Sequence, residues 1–296
     1  MSKLKAMEMF VRVAELGSFS AVAQEKGIAR SIVTRHIAQL EKSLGLKLIT
    51  RSTRRLSLTS AGSAYVEKCR EILDLIESAE TELAQEHQTL RGLMRISLPL
   101  SYGIKRLSPL LLEFAEQHPQ VQLEMNYNDR RISLIEEGVD LAVRITRSLA
   151  DNDIARRIGT VRVFPVASPA YLARHGEPHH PSDLVNHNCL SYTAAGNFAI
   201  WQFLVDGVAT DFPVRARLHS NNGDVLSLAA ARGMGITYQP DFIVADDIEA
   251  GSLKPLINDF PPPDLGVYVM LPGNRQIPYR TRVLIDFLAE RLATDH

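Results

Sequence analysis

Two cysteines in 296 residues, Cys69 and Cys189, are too few for a disulfide framework, and neither sits in a metal-ligand spacing. No run of about 18 apolar residues occurs, so no segment reads as spanning a membrane. The opening MSKLKAMEMF lacks the pattern of a secretory leader and runs straight into an amphipathic helix, with Met7, Phe10, Val11 and Ala14 on one face. These absences together fit a reduced, cytoplasmic protein. Also missing are a glycine-rich phosphate loop, a GxSxG elbow, an HExxH pair and a convincing Ser/His/Asp set. The chain therefore does not read as an enzyme, and no cofactor or metal is expected. Net charge is almost absent too, with 33 Lys and Arg against 34 Asp and Glu. The length fits about two domains.

That neutrality hides a division. Residues 1–60 hold 11 Lys and Arg against 4 Glu, and the remainder holds 22 bases against 30 acids. A basic head on an acidic body is the charge pattern of a nucleic-acid-binding module attached to something else.

Within the head, residues 17–62 read GSFSAVAQEKGIARSIVTRHIAQLEKSLGLKLITRSTRRLSLTSAG. A first helix opens at Ser18 or Ser20, either able to cap free N–H groups. It carries the small Ala21, Val22 and Ala23, and Gly27 ends it. After Ile28 and Ala29 a second helix runs from about Arg30 to Leu44. Val33, Ile37, Leu40 and Leu44 form its apolar stripe. The opposite face holds Ser31, Arg35, Ala38 and Lys42, with Arg30 and Thr34 near its start. Short hydroxyl and cationic side chains there suit base edges, and Lys42 at the far end suits a phosphate. Leu46, Leu48, Leu56 and Leu58 flank residues 50–55 and predict a β-hairpin whose tip carries Arg51, Arg54 and Arg55. Three arginines on such a tip match phosphates or a minor groove. A solvated amphipathic helix explains the second helix alone, but not the helix and wing together. The whole is a winged helix-turn-helix that would bind double-stranded DNA, with Ser18, Ser20, Arg30, Ser31, Thr34, Arg35, Lys42, Arg51, Arg54 and Arg55 as candidate contacts.

Residues 60–90 contain no proline, and no glycine after Gly62. Tyr65, Cys69, Ile72, Ile76, Ala79 and Leu83 step by four and three, a heptad seam. Glu67, Lys68, Arg70, Glu71, Glu80 and Glu82 flank it, which favours a long exposed dimerisation helix over one lying on its own domain. Gly92 then marks a boundary. LMRISLPLSYG, VQLEMNYND and VDLAVRI read as strands, and KRLSPLLLEFAEQHPQ and RRISLIEEG as helices between them. This alternation means a parallel sheet with crossover helices. A strand over Val161–Pro165 leads to SPAYLARHG. A second set follows: the Trp201 region, VRARLHSNN, the helix GDVLSLAAARG, then MGITYQPDFIV and LGVYVML, before a last helix, YRTRVLIDFLAERL.

The 17–62 pattern closely resembles the N-terminus of LysR-type transcriptional regulators. DLAVRI, ASPAYLARHGEPHHPSDLVNHNCL, LAAARGMGITYQPDFI and the closing helix extend the likeness over nearly the whole chain. It departs at Ala29, Arg30 and Ser31, where the family often has serine, glutamine, then proline or serine. The resemblance implies a DNA-binding domain over 1–59, a linker helix over 60–90 that pairs antiparallel with its mate, and an effector-binding region over 91–296. That region would resemble a type 2 periplasmic binding protein, with α/β subdomain I at about 91–165 and 266–296, and subdomain II at about 166–265. The implied partners are promoter DNA, a small-molecule effector, a second copy in a homodimer, two dimers in a homotetramer and RNA polymerase, in a nucleoid-associated and not a membrane protein.

In open α/β sheets ligands sit at the carboxyl ends of strands. That rule selects Ser101 and Tyr102, then Asn128, then Arg144 and Thr146, then Asn221 and Asn222, each near a helix N-terminus suited to an anion. A small organic acid or similar polar metabolite is the expected effector. The family places a ligand-contacting serine or threonine at the position of Ser101. Helix capping explains Asn221 and Asn222 equally well, and an interior salt bridge to Asp140 or Asp129 explains Arg144. His179 and His180, between two prolines, read as a surface turn sooner than a metal site, as does His187 near Cys189. Peroxide sensing by Cys69 and Cys189 is disfavoured by Cys69 lying in the seam. Trp201 and Phe203 read as core. An enzyme on a solute-binding fold would leave the basic module unexplained, and an architectural DNA binder would leave the acidic body unexplained.

Overall fold

The computed structural model describes residues 3–51, 56–82, 90–130, 132–194, 200–273 and 277–293. The chain divides into two units, residues 1–88 with 274–279, and residues 89–273 with 280–296. Among the described residues no helix is long and apolar enough to cross a membrane.

The first unit is built on α1 (Lys3–Leu16), α2 (Phe19–Glu25) and α3 (Arg30–Leu44). Ser18 caps α2, its Oγ accepting from the Ala21 amide at 3.3 Å. Gly27, at φ +63°, makes the turn into α3. No side chain caps α3, because its cap position is Ala29. Phe10, Val13, Val22, Val33, Ile37 and Leu40 fill the core, and Leu44 is half-buried at its edge. The wing strands β1 (Ile49–Arg51) and β2 (Leu56–Leu58) pair antiparallel, Ile49 opposite Leu58. Leu46 is not a hairpin residue: it precedes β1 and is 56% exposed, because Gly45 has already turned the chain out of α3.

α4 (Ser60–Glu82) begins where Thr59 Oγ1 accepts from the Gly62 amide at 2.9 Å. Its first turns lie on the unit's own core. Val66 and Cys69 are buried there, and Tyr65 packs against Phe10 with ring centroids 6.0 Å apart. Along the heptad seam Tyr65 and Cys69 face this core, Ile72 is exposed and Ile76 is half-buried; Leu75, beside the seam, is exposed as well. The Ala79 side chain and Leu83 lie outside the described residues.

In the second unit β3 (Arg91–Leu98) leads through α5 (Leu100–Tyr102) and a π turn (Gly103–Leu107) into α6 (Ser108–Gln117) and β4 (Gln120–Tyr127). β5 (Leu141–Thr146) and β6 (Ile154–Val161) follow. RRISLIEEG is not a helix. It forms one turn, with the Glu137 amide on the Ser133 carbonyl and the Val139 amide on the Leu134 carbonyl, closed by Gly138 at φ +63°. Arg162 alone separates β6 from β7 (Val163–Ala167). After α7 (Pro169–His175) come β8 (Cys189–Tyr192), the β9 (Ile200–Val205) and β10 (Val208–Pro213) hairpin, β11 (Ala216–Ser220) and α8 (Gly223–Ala231). MGITYQPDFIV spans β12 (Ile236–Pro240) and the start of α9 (Asp241–Glu249), which meet at Pro240. β13 (Lys254–Pro255), β14 (Leu265–Leu271) and α10 (Tyr279–Ala293) complete the chain.

Two five-stranded sheets result, β4-β3-β5-β14-β6 and β11-β8-β12-β7-β13. The chain passes from first to second at Arg162 and returns between β13 and β14. β3 is parallel to β4 and β5, whereas β14 is antiparallel to β5 and β6. Leu98, Leu111, Phe114, Val143, Val267, Leu284 and Leu288 form the first sheet's core. Around the second sheet, Tyr171, Leu184, Trp201 and Phe203 pack on one side and Leu190, Leu226 and Val244 on the other. The space between the two sheets is crossed by side chains, Ser101 to Asp224 and Arg147 to Tyr238.

Candidate nucleic-acid interface and effector cleft

On α3 the apolar stripe turns Arg30, Ser31, Arg35, Ala38 and Lys42 outward, and Thr34 is half-buried beside them. Ser20 is exposed on α2, whereas Ser18 is occupied as its cap. Arg51 ends β1; Arg54 and Arg55 lie outside the described residues. The exposed face of α3 therefore carries two arginines, a lysine and a hydroxyl with no acid among them.

Two residues of α3 were missed by the sequence reading. Glu41 is buried at the end of the stripe, one turn past Ile37. Its Oε1 accepts from the Leu48 amide at 2.9 Å and the Ile49 amide at 3.2 Å, and its Oε2 pairs with Lys47 Nζ at 2.6 Å. One carboxylate thus ties the recognition helix to the root of the wing. Burial pushes the Glu41 carboxyl up, but Lys47 and the two amides outweigh it and hold the group below its ordinary value. An acid on an apolar stripe was the available signal. His36 is buried too, with Nδ1 unpartnered, and burial followed by Arg35 and Lys5 lowers its pKa.

The cleft residues fall into separate groups. Ser101 is buried and its Oγ donates to Asp224 Oδ2 in the first turn of α8. Lys105 reaches the same carboxylate, Nζ to Oδ1 3.1 Å, and the Phe242 carbonyl at 3.2 Å. Tyr102 packs inward, edge-on to Phe242 at 5.0 Å. Asn222 caps α8 through the Val225 amide at 3.0 Å, and Asn221 is exposed beside it. Asn128 and Arg144 meet on Ser97 Oγ, at 3.4 and 2.8 Å. The other Arg144 hydrogen bonds go to the carbonyls of Ser97, Val143 and Arg130. No salt bridge joins Arg144 to Asp140 or Asp129 among the described residues; those acids accept from the Arg95 and Leu100 amides instead. Burial lowers the Arg144 pKa. Arg144 also lines a cavity of about 220 Å³ with Ser133, Ala142, Asn152, Ile154 and Met270, all of the first sheet's own subdomain. Thr146 closes a local turn on Ser148.

The sequence reading also missed Arg147, one residue beyond Thr146. It donates to Tyr238 OH at 2.7 Å and Gln202 Oε1 at 3.1 Å, across the cleft. Burial pushes the Tyr238 hydroxyl up to about 12, against the opposing pull of Arg147. Tyr192 likewise faces Asp129, and burial, then that carboxylate, raise its pKa. Polar side chains at strand ends are the signal, but which of them reach across depends on the second sheet's placement.

Elsewhere, His180 Nδ1 accepts from the Ser182 amide at 3.2 Å and caps a short 3-10 turn, Pro181–Asn186. Among the described residues no group of three His, Cys, Asp or Glu could hold a metal. Cys69 and Cys189 are buried in different units, with thiols pushed up to about 11 and about 12. Both are held as thiols, the unreactive form. Trp201 and Phe203 are core residues.

A winged helix-turn-helix, a helix leading out of it and a pair of α/β subdomains are together the parts of a DNA-binding regulator. Residues 4–63 match the bacterial regulatory helix-turn-helix protein, lysR family, and residues 87–293 match the LysR substrate binding domain. The HTH-type transcriptional regulator CrgA of Neisseria meningitidis serogroup C (strain 8013) is 34% identical, over 98% of this chain and 97% of that one. An HTH-type transcriptional regulator of Xanthomonas campestris pv. campestris (strain 8004) is 33% identical, over 97% of this chain and 85% of its own length. The solved structure of CrgA from Neisseria meningitidis superposes with a TM-score of 0.61 at 32% identity, covering 97% of this chain and 98% of that one. The chain belongs to the LysR family of DNA-binding transcriptional regulators.

Proposed function

We infer that this regulator reads promoter DNA with α3 and its wing, and that a small polar metabolite, an organic acid above all, binds between its two subdomains and alters those DNA contacts. The observation that carries the effector half is the set of side chains spanning the cleft: Ser101 and Lys105 meet Asp224, and Arg147 meets Tyr238 and Gln202. A ligand entering there must exchange partners with both subdomains, and so binds their open and closed arrangements unequally. Unequal affinity for two states is the requirement for an effector to act.

In this reading residues 1–59 hold the reader, 60–90 the dimerising helix and 91–296 the sensor. Exposed Ile72 and Leu75 on α4 support pairing there. Two readers on a two-fold axis suit two half-sites. Ser20, Arg30, Ser31, Thr34, Arg35 and Lys42 contact DNA from the helices, with Arg51, Arg54 and Arg55 from the wing. Sensor domains join dimers into a tetramer that bends DNA, and RNA polymerase is the downstream partner. Footprinting with metabolite titration tests the reading: the protected region should shift on effector addition. A footprint unmoved by any small acid contradicts it, as does a tetramer that survives deletion of residues 91–296.

A further inference from the structure

We propose that Asp224 is the cleft's built-in ligand: its carboxylate fills a carboxylate-binding position made by Ser101 and Lys105, and an acidic effector acts by displacing it. The proposal rests on the cleft reading above and names the ligand group that the cleft selects.

Three observations carry it. Ser101 and Lys105 both belong to the short segment after β3, and both give a donor to one carboxylate of the other subdomain. The two oxygens are divided between them, Oδ2 to the hydroxyl and Oδ1 to the ammonium, as a free carboxylate would be held. Other contacts between the subdomains do not involve Asp224: Arg147 with Tyr238 and Gln202, Tyr102 with Phe242, and Lys105 with the Phe242 carbonyl. Removing Asp224 therefore vacates one position without dismantling the closure. Gly223, before Asp224, sits close against the second subdomain's core, where a Cβ would stand 2.4 Å from Ile243 Cδ1 and 2.6 Å from Gln239 Oε1, so the backbone that carries Asp224 is fixed while its side chain is part-exposed.

A carboxylate on an effector offers Ser101 and Lys105 the same two oxygens and leaves Asp224 to water, where its 43% exposed side chain can turn. Ligand entry then costs the cleft one intersubdomain bridge and replaces it with a ligand bridge, a displacement that resets how the two subdomains meet. A neutral or cationic ligand would not compete for this position.

Chemical rescue tests it, using acetate as the probe in the full chain. Hydrogen exchange of residues 100–107 and 223–226 should quicken about fivefold to tenfold in Asp224→Ala, a loss scaled down from a buried charged hydrogen bond because the carboxylate is part-exposed. Ser101→Ala should do the same, and the double variant should add little. Acetate, against chloride at equal ionic strength, should restore protection in Asp224→Ala but not in the double variant, and should leave the wild type unchanged. Asp224→Asn keeps the volume and guards against misfolding; it should quicken exchange without gaining acetate rescue. Unchanged exchange in Asp224→Ala and Asp224→Asn overturns the proposal, as does equal protection by acetate in the double variant. These readouts need no effector. Rescue by acetate together with a footprint deaf to every metabolite would sink the effector reading and keep the internal ligand. The reverse result would do the opposite.

Discussion

Replacing Glu41 with alanine removes the bond between recognition helix and wing. The truncation leaves the Leu48 and Ile49 amides buried without their acceptor. An orphaned buried donor costs about 1–3 kcal/mol, so the pair predicts a loss of roughly 2–6 kcal/mol. The Lys47 ion pair adds little, because that side chain is 78% exposed and such pairs are worth about 0–1 kcal/mol. Lys47→Ala is therefore the control, expected to change stability by less than about 1 kcal/mol. The sole tryptophan, Trp201, lies in the second unit, so its fluorescence reports a different core from the largely helical first unit. In denaturant, Glu41→Ala should move the helical circular-dichroism transition and leave the Trp201 transition in place. The effect has a pH signature. A carboxyl held below its unfolded value stabilises fully above that value and loses the contribution as pH falls further. The gap between wild type and variant should thus narrow below about pH 4.3. Equal transitions in wild type and Glu41→Ala, or an equal loss in Lys47→Ala, would refute the reasoning.

Other expectations concern the same unit and the cleft. His36 is buried with its pKa lowered, so wild type should lose stability as pH falls below about 6.5, and His36→Gln should flatten that slope in denaturant titrations between neutral and mildly acidic pH. Gly62→Ala places a Cβ 2.0 Å from the Leu48 carbonyl oxygen, so destabilisation should reach the upper end of the roughly 1–3 kcal/mol typical of overpacking, read by the circular-dichroism transition. Arg35→Ala should weaken binding to the operator by about 1–3 kcal/mol and relax base preference at one position, whereas Lys42→Ala should lower affinity uniformly and reduce the salt slope by about one. Arg147→Ala should leave DNA affinity without effector within a few-fold of wild type while altering the effector-dependent shift, measured by the footprint titration.

The reader module is legible in the sequence because its signals are local. The spacing of Val33, Ile37 and Leu40, the cap at Ser18 and the turn at Gly27 each lie within a few residues of what they determine. Glu41 escaped notice because its partners, the amides of Leu48 and Ile49, belong to the next element and donate from the main chain. The seam of α4 shows a different limit. One periodicity runs from the inward core at Cys69 to exposed Ile72, and periodicity alone does not say what covers a stripe. RRISLIEEG ends in Gly138 as a helix would, yet its hydrogen bonds close a single turn, the Glu137 amide on the Ser133 carbonyl and the Val139 amide on the Leu134 carbonyl. In the cleft, strand-end position found Ser101 and Asn222. It gave no means of knowing that Asn222 caps its own helix while Ser101 crosses to Asp224. Arg147 and Asp224 draw their roles from residues 91 and 123 positions away in sequence, separations at which local pattern carries no information.

The most direct test of a DNA reader coupled to a cleft is a footprint of the purified protein across the promoter of its own gene and the divergent gene, at two salt concentrations. Protection of two or more helical turns enclosing an interrupted palindrome, weakening steeply with salt, is the predicted result. No protection at low salt would contradict the account and return attention to the acidic second unit as the seat of function.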